Sequence, residues 1–373
     1  MKRVLLGTTA LVAAGLLVTS VAYADEHEMA EEEVMEPAGP VTVGLSGYTM
    51  AALGFASDNS DTVRGHGMFH VYEFVVSGSS TLDNGITVGV HAQLGTSGGG
   101  SFDEQHVTLS GAFGSLRAGR TESAAYNATV GAPGAGLVFG FGVNYNWFSA
   151  AAQGVNTYSG IGAEDAVKVV YTSPNFNGLT LGVSYAPEDS DGDGAAGRTI
   201  STDDPNAIGA HTAVGLTYST EFMEGGSLTL GAAYEMADSE SGGDDPNATK
   251  FGVNIGIDQI SFGGGMYDHN ANGVQYDVGA SWTDGPLNVG VQYAANESGA
   301  IGMAVPASHK HDGSGAIVIV PGMPAPTGET SMTALHLNYT LGPGVTIGAQ
   351  VAGGTIEDSD DVVQVMLGTA VFF

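Results

Sequence analysis

Alternation of period two runs from Val41 to the end of the chain, and no other feature limits the fold so strongly. In the closing stretch 362–373, VVQVMLGTAVFF, the residues Val363, Val365, Leu367, Val371 and Phe373 share one parity, interrupted only by Thr369; Gln364, Gly368 and Ala370 stand on the other. Successive strand side chains point to opposite faces, so this stretch has one apolar face and one that mixes Gln364, Gly368 and Ala370 with some apolar residues. The same contrast sets Leu179, Leu181, Val183 and Tyr185 against Thr180, Gly182 and Ser184, and Leu287, Val289, Val291 and Tyr293 against Asn288, Gly290 and Gln292. It returns where Val345, Ile347, Ala349 and Val351 oppose Thr346, Gly348 and Gln350, and where Tyr276, Val278 and Trp282 oppose Gln275, Asp277 and Ser281. A soluble domain rarely leaves an apolar strand uncovered at its end. A barrel in lipid turns that face to hydrocarbon and closes its last strand on its first.

Short turns recur at Asp83-Asn84-Gly85, Gly114-Ser115, 175–178, Asp284-Gly285-Pro286 and Gly342-Pro343-Gly344, each rich in residues that adopt turn conformations. Between them lie long polar loops at 56–65, 96–101, 121–165, 187–208, 237–248, 268–273, 296–329 and 355–361. Eight long loops alternating with seven short turns predict sixteen strands, with both ends on the short-turn side. The fold class is all-β: a transmembrane antiparallel up-and-down barrel of 16 strands over residues 41–373, wide enough to hold water. Tyr185, Tyr218, Tyr234, Tyr293 and Tyr339, near strand ends on the apolar parity, fit interfacial girdles. A soluble sandwich would have to bury all those apolar faces in pairs, and it has no need of loops that are long on one side only.

Lys2 and Arg3 precede an uncharged stretch that ends in Ala22-Tyr23-Ala24, the pattern of a secretory signal peptide over 1–24. Residues 25–40, DEHEMAEEEVMEPAGP, read as an acidic periplasmic leader with no strand pattern. An exported chain without cysteine must draw its stability from a large hydrogen-bonded framework. The 59 glycines, about twice the usual share, have no three-residue period; spread through strand-like segments they suit tight turns and smooth lumen walls. The net charge of −31 becomes two units more negative once Lys2 and Arg3 leave with the signal. Such a field repels nucleic acid and favours cations.

Several segments resemble the Gram-negative general porins, closest to the alphaproteobacterial type. VTVGLSGYTMAALGF at 41–55 resembles the first strand of that family, and FGSLRAGR at 113–120 resembles the periplasmic turn and fifth strand that lead into its constriction loop. YTSPNFNGLTLGVSY at 171–185 is similar to the sixth strand, turn and seventh strand, and the terminal Phe373 to the family's assembly signal. The resemblance implies a homotrimeric channel in the outer membrane for passive diffusion of small hydrophilic solutes and ions. Its partners would be outer-membrane lipid, lipopolysaccharide and the outer-membrane assembly machinery.

The third and longest loop, 121–165, is expected to fold inward and narrow the pore, as in the family. Its Val138, Phe139, Phe141, Tyr145, Trp147 and Phe148 would be poorly soluble on the outside. Porins of this type usually carry acids in the middle of that loop, opposite basic wall residues, whereas here nothing between Glu122 and Glu164 is charged. The eyelet is therefore expected to be wider, more neutral, or lined by amides such as Asn127, Asn144 and Asn146. Alternation places Arg117, Lys168, Glu73, His91, His106, His211 and His336 on the lumen side. Arg120 matches the family's constriction arginine, yet it shares the outward parity of Leu116 and Ala118. A lipid-facing arginine at the midplane would cost about 2–4 kcal/mol, so Arg120 is expected beyond the regular strand, where the chain turns inward. Arg117, Arg120, Glu122, Lys168, Glu73, Asn127, His91 and His106 are the candidates for pore lining and constriction.

Other chemistry finds little footing. Asp189, Asp191 and Asp193 have the first three spacings of a calcium loop, but its twelfth position is Ile200 and no helices flank it. A weak calcium site, as some relatives carry, and a solvated acidic loop both remain open; no cofactor is required. Gly192, Gly194 and Gly197 fit a dinucleotide fingerprint without its strand and helix. No GxSxG motif or cysteine nucleophile supports an enzyme. A solute-specific channel would reveal itself by saturable block with one solute, and a barrel that merely anchors surface loops by never conducting.

Overall fold

The computed structural model describes residues 41–57, 65–95, 102–133, 161, 166–188, 208–240, 243–270, 273–297, 308–311, 317–320, 329–356 and 361–373. The expected signal peptide and leader, the acidic run 189–194 and most of 134–165 lie outside the described residues.

In chain order the strands are β1 (Thr42–Ala56), β2 (His66–Thr81), β3 (Thr87–Gly95), β4 (Phe102–Gly111), β5 (Gly114–Arg120), β6 (Val167–Thr172), β7 (Leu179–Glu188), β8 (Ile208–Met223) and β9 (Gly226–Ser239). They continue as β10 (Asn247–Ile257), β11 (Ile260–Asp268), β12 (Val274–Asp284), β13 (Leu287–Asn296), β14 (Ser308–His311), β15 (Ile317–Val320), β16 (Thr330–Gly342), β17 (Val345–Ile356) and β18 (Val362–Phe372). All but β14 and β15 form one closed antiparallel barrel of 16 strands, each paired with its neighbour in the chain and β1 with β18. Seven connections are tight and eight are long, in strict alternation, as the turn residues predict. The seventh expected loop differs from a plain connection: β14 and β15 pair within 296–329 as a separate two-stranded sheet. The β-branched run Ile317-Val318-Ile319-Val320 accounts for it, since such residues favour extended pairing.

Burial in the barrel is inverted relative to a soluble protein. On β16 to β18, Leu335, Leu337, Val351 and Leu367 are exposed, while His336, Gln350 and Gln364 on the opposite parity are at most 2% exposed. The buried apolar residues are mostly alanine, and the large apolar side chains stand on the outside. Water around that outer face would forgo about 25 cal/mol for each Å² of apolar surface, so the stable solvent for it is hydrocarbon. Closure removes the open edges that would otherwise expose backbone donors and acceptors to lipid. The seam is latched at the chain end, where Phe373 and Gly47 exchange two main-chain hydrogen bonds of 2.9 and 3.0 Å.

Candidate constriction site

From the end of β5 to residue 133 the chain stays inside the barrel. Residues 121–133 run along the inside of the wall, starting with the short helix α1 (Ala124–Asn127). Ser123 caps this helix by accepting from the Tyr126 N–H at 3.1 Å. Side-chain oxygens of Ser, Thr, Asn and Asp are the usual acceptors for such orphan donors. Ala124, Ala125 and Ala128 pack on Ala213 of β8 and Ala233 of β9, so the helix buries a face of methyl groups against an equally small wall.

Side chains from strands far apart in sequence hold this segment. Ser184 Oγ of β7 accepts from the Ala124 N–H at 3.0 Å. Asp277 Oδ1 of β12 accepts from the Ala132 N–H at 3.1 Å and from the Gly265 N–H at 2.6 Å, tying loop to wall. Gln292 of β13 donates to the Pro133 carbonyl at 3.0 Å, and Asn254 of β10 donates to that of Gly131 at 3.4 Å. A segment fixed from β7 to β13 crosses much of the interior circumference, and whatever passes the barrel must pass it. Asp277, Gln292 and Ser184 escape sequence reasoning as anchors because polar lumen residues look alike until register says which face the loop.

The cationic candidates gather at the root of this segment. Arg117 donates to Thr121 Oγ1 at 2.8 Å. Lys168 is buried and donates to the carbonyls of Thr121 and Ala166, the latter at 2.9 Å, which draws together the two ends of the loop. Arg120 pairs with Gln105 and Val167 and so remains within the ladder, one residue short of the expected inward turn. Gly119, just before it, has φ +135°, a conformation that L side chains rarely adopt, yet the register runs through it without a shift and keeps Arg120 opposite Gln105 and Val167, both on the outward parity. Arg120 is half-buried with its Nε shielded from solvent. Glu122 is half-buried, and Asn127 turns back on its own helix, donating to the Ser123 carbonyl at 2.8 Å.

On the adjoining strands β3 and β4, His91 and His106 stack at 4.7 Å between ring centroids, with Glu104 Oε2 3.7 Å from His91 Nε2 and 3.9 Å from His106 Nδ1. Glu73 lies half-buried on the inward face of β2. His211 and His336 are buried in the wall rather than open to a wet lumen. His211 belongs to a cluster that the spacing does not reveal. Its Nε2 is 3.2 Å from Glu235 Oε2, Lys250 Nζ is 3.9 Å from Glu235 Oε1, and the Tyr267 hydroxyl donates to the same carboxylate. Lys250 also lies 4.4 Å over the Tyr267 ring, a cation–π arrangement. Just past β11, burial pushes His269 down to about 4, so it adds no charge at neutral pH. Among the described residues no group of acids and histidines is arranged to hold a metal.

Residues 7–360 match the family model described as Gram-negative porin. Among solved structures, an engineered mutant of Rh. blastica porin aligns with TM-score 0.59 and 13% identity, over 89% of this chain and all of that one. The anion-selective porin from Comamonas acidovorans aligns with TM-score 0.60 and 19% identity, over 90% of this chain and all of that one. Comparison with curated proteins gives no match.

Proposed function

The chain belongs to the Gram-negative porin family, a premise from which we propose a general diffusion channel, mildly cation-preferring and assembled as a homotrimer. It is an outer-membrane barrel for passive diffusion, and the solutes we assign to it are small, hydrophilic and limited by the eyelet. The observation that carries this reading is the docking of 121–133 across the inner wall, which narrows a closed barrel.

The sign of ion preference follows lining charge rather than fold. Lys168 and Lys250 are buried and engaged by loop carbonyls and Glu235, so neither offers a bare positive charge to the stream. The wider field of a chain with net charge −31 then dominates and draws cations. Association into a trimer draws support from the outer face of β1, β2 and β18, where the apolar cover thins to Gly47, Thr49, Ala51, His70 and Thr369. An imidazole is costly against hydrocarbon and less so against another subunit. Export rests on the signal pattern of 1–24.

Recording in planar bilayers tests the reading. Purified protein is expected to give discrete channels whose reversal potential, under a salt gradient, has the polarity of cation flow. Anion polarity would overturn the selectivity, and protein that never conducts would overturn the channel.

A further inference from the structure

The docked segment meets glycine on one strand after another. Gly182 of β7 pairs directly with Gly215 of β8, Gly231 of β9 with Gly252 of β10, and Gly252 in turn with Gly265 of β11. The main chain of the loop rests on this track. A Cβ at Gly215, Gly231 or Gly252 would press into the carbonyl oxygens of Ala124, Ala128 and Val130 respectively, far inside the 3.0 Å that real Cβ atoms keep. At Gly265 it would stand 2.6 Å from the Val130 oxygen, and at Gly182 3.2 Å from the Ala124 Cβ.

Resting on the channel reading above, we propose that this glycine track is a specificity-determining element: it sets how deeply 121–132 sinks into the wall and so fixes the width of the eyelet. The argument is one of stiffness. The wall is a closed hydrogen-bonded ladder in which every barrel strand is paired on both sides, and it cannot retreat outward without breaking main-chain bonds in lipid. The docked segment lies outside that ladder, held by side-chain hydrogen bonds and packing, so it is the part that shifts. Any side chain added to the track therefore drives the loop toward the pore axis. The largest displacement is expected at Gly252, where the Val130 carbonyl would have to withdraw by more than an ångström. Close backbone approach is a use of glycine that no other residue can fill.

The test compares wild type, Gly252→Ala, Gly265→Ala and Gly353→Ala in single-channel recording with graded neutral polymers as size probes. At Gly353 an added Cβ meets nothing within 4 Å, so this variant is expected to match wild type. Gly252→Ala is expected to lower conductance by about a third or more and to exclude smaller polymers than wild type does. Gly265→Ala, milder because its contact is longer, is expected to shift both in the same direction and keeps the test open if Gly252→Ala fails to assemble. Unchanged conductance and cut-off in an assembled variant, or a wider pore, would overturn the proposal. A wild type that does not conduct would instead remove the channel reading on which it rests.

Discussion

Exchanging Glu235 for glutamine is expected to lower the barrel's unfolding free energy by about 3–5 kcal/mol. The carboxylate is 1% exposed and serves His211, Lys250 and Tyr267 at once. The amide retains an acceptor for the Tyr267 hydroxyl but removes the negative charge that Lys250 faces at 3.9 Å. Taking one member from a buried ionic group costs far more than taking the pair, because the remaining charge stays desolvated. Glu235→Gln with Lys250→Met is therefore expected to recover much of the loss. Urea unfolding in lipid vesicles checks both. A single variant as stable as wild type would show that the cluster contributes nothing beyond filling space.

Deleting Phe373 is expected to weaken the barrel at its seam by about 3 kcal/mol, from two main-chain hydrogen bonds and an aromatic contact. The bonds are those exchanged with Gly47, and the Phe373 ring stands 5.6 Å from that of Phe74 between centroids. Phe373→Ala keeps the bonds and loses the ring, so it should fall about 1 kcal/mol below wild type. If the terminal aromatic also serves as an assembly signal, both variants should accumulate outside the membrane in cells by more than their refolding in vitro accounts for. Folded barrel yields that match wild type in cells would contradict that role.

Most of the architecture is legible in the sequence because a lipid-facing barrel is written in period two. Parity alone assigns Leu335, Leu337 and Leu367 outward and His336, Gln350 and Gln364 inward. Turn residues such as Asp83-Asn84-Gly85 mark where the short connections fall, with Gly85 at φ +79°. The inward course of residues 121–133 follows from the resemblance of the third loop to a porin loop. The partners of that loop are not legible. Asp277 and Gln292 differ in no local way from other lumen polar residues, and their meeting with Ala132 and Pro133 spans some 145 and 159 positions of sequence. His211 and Glu235 come together through the register of one hairpin, Ala213 opposite Glu235, which parity does not supply. Lys168 shows the limit from the other side. Alternation puts it on the lumen face, but only the fold shows its ammonium tied to loop carbonyls. The signal the sequence did hold was glycine on lumen parity, Gly182 for one, which reads as smooth wall until the loop is seen lying on it.

Passage of graded neutral polymers through wild type and an Asp277→Ala/Gln292→Ala variant tests the account most directly. Both side chains hold the loop to the wall at Ala132 and Pro133, so their loss should free that part of it while leaving the barrel closed. A loop narrowing the pore predicts that the double variant admits larger polymers than wild type and conducts more current with more flicker. An identical size limit in the two proteins would mean that the docked segment does not form the constriction.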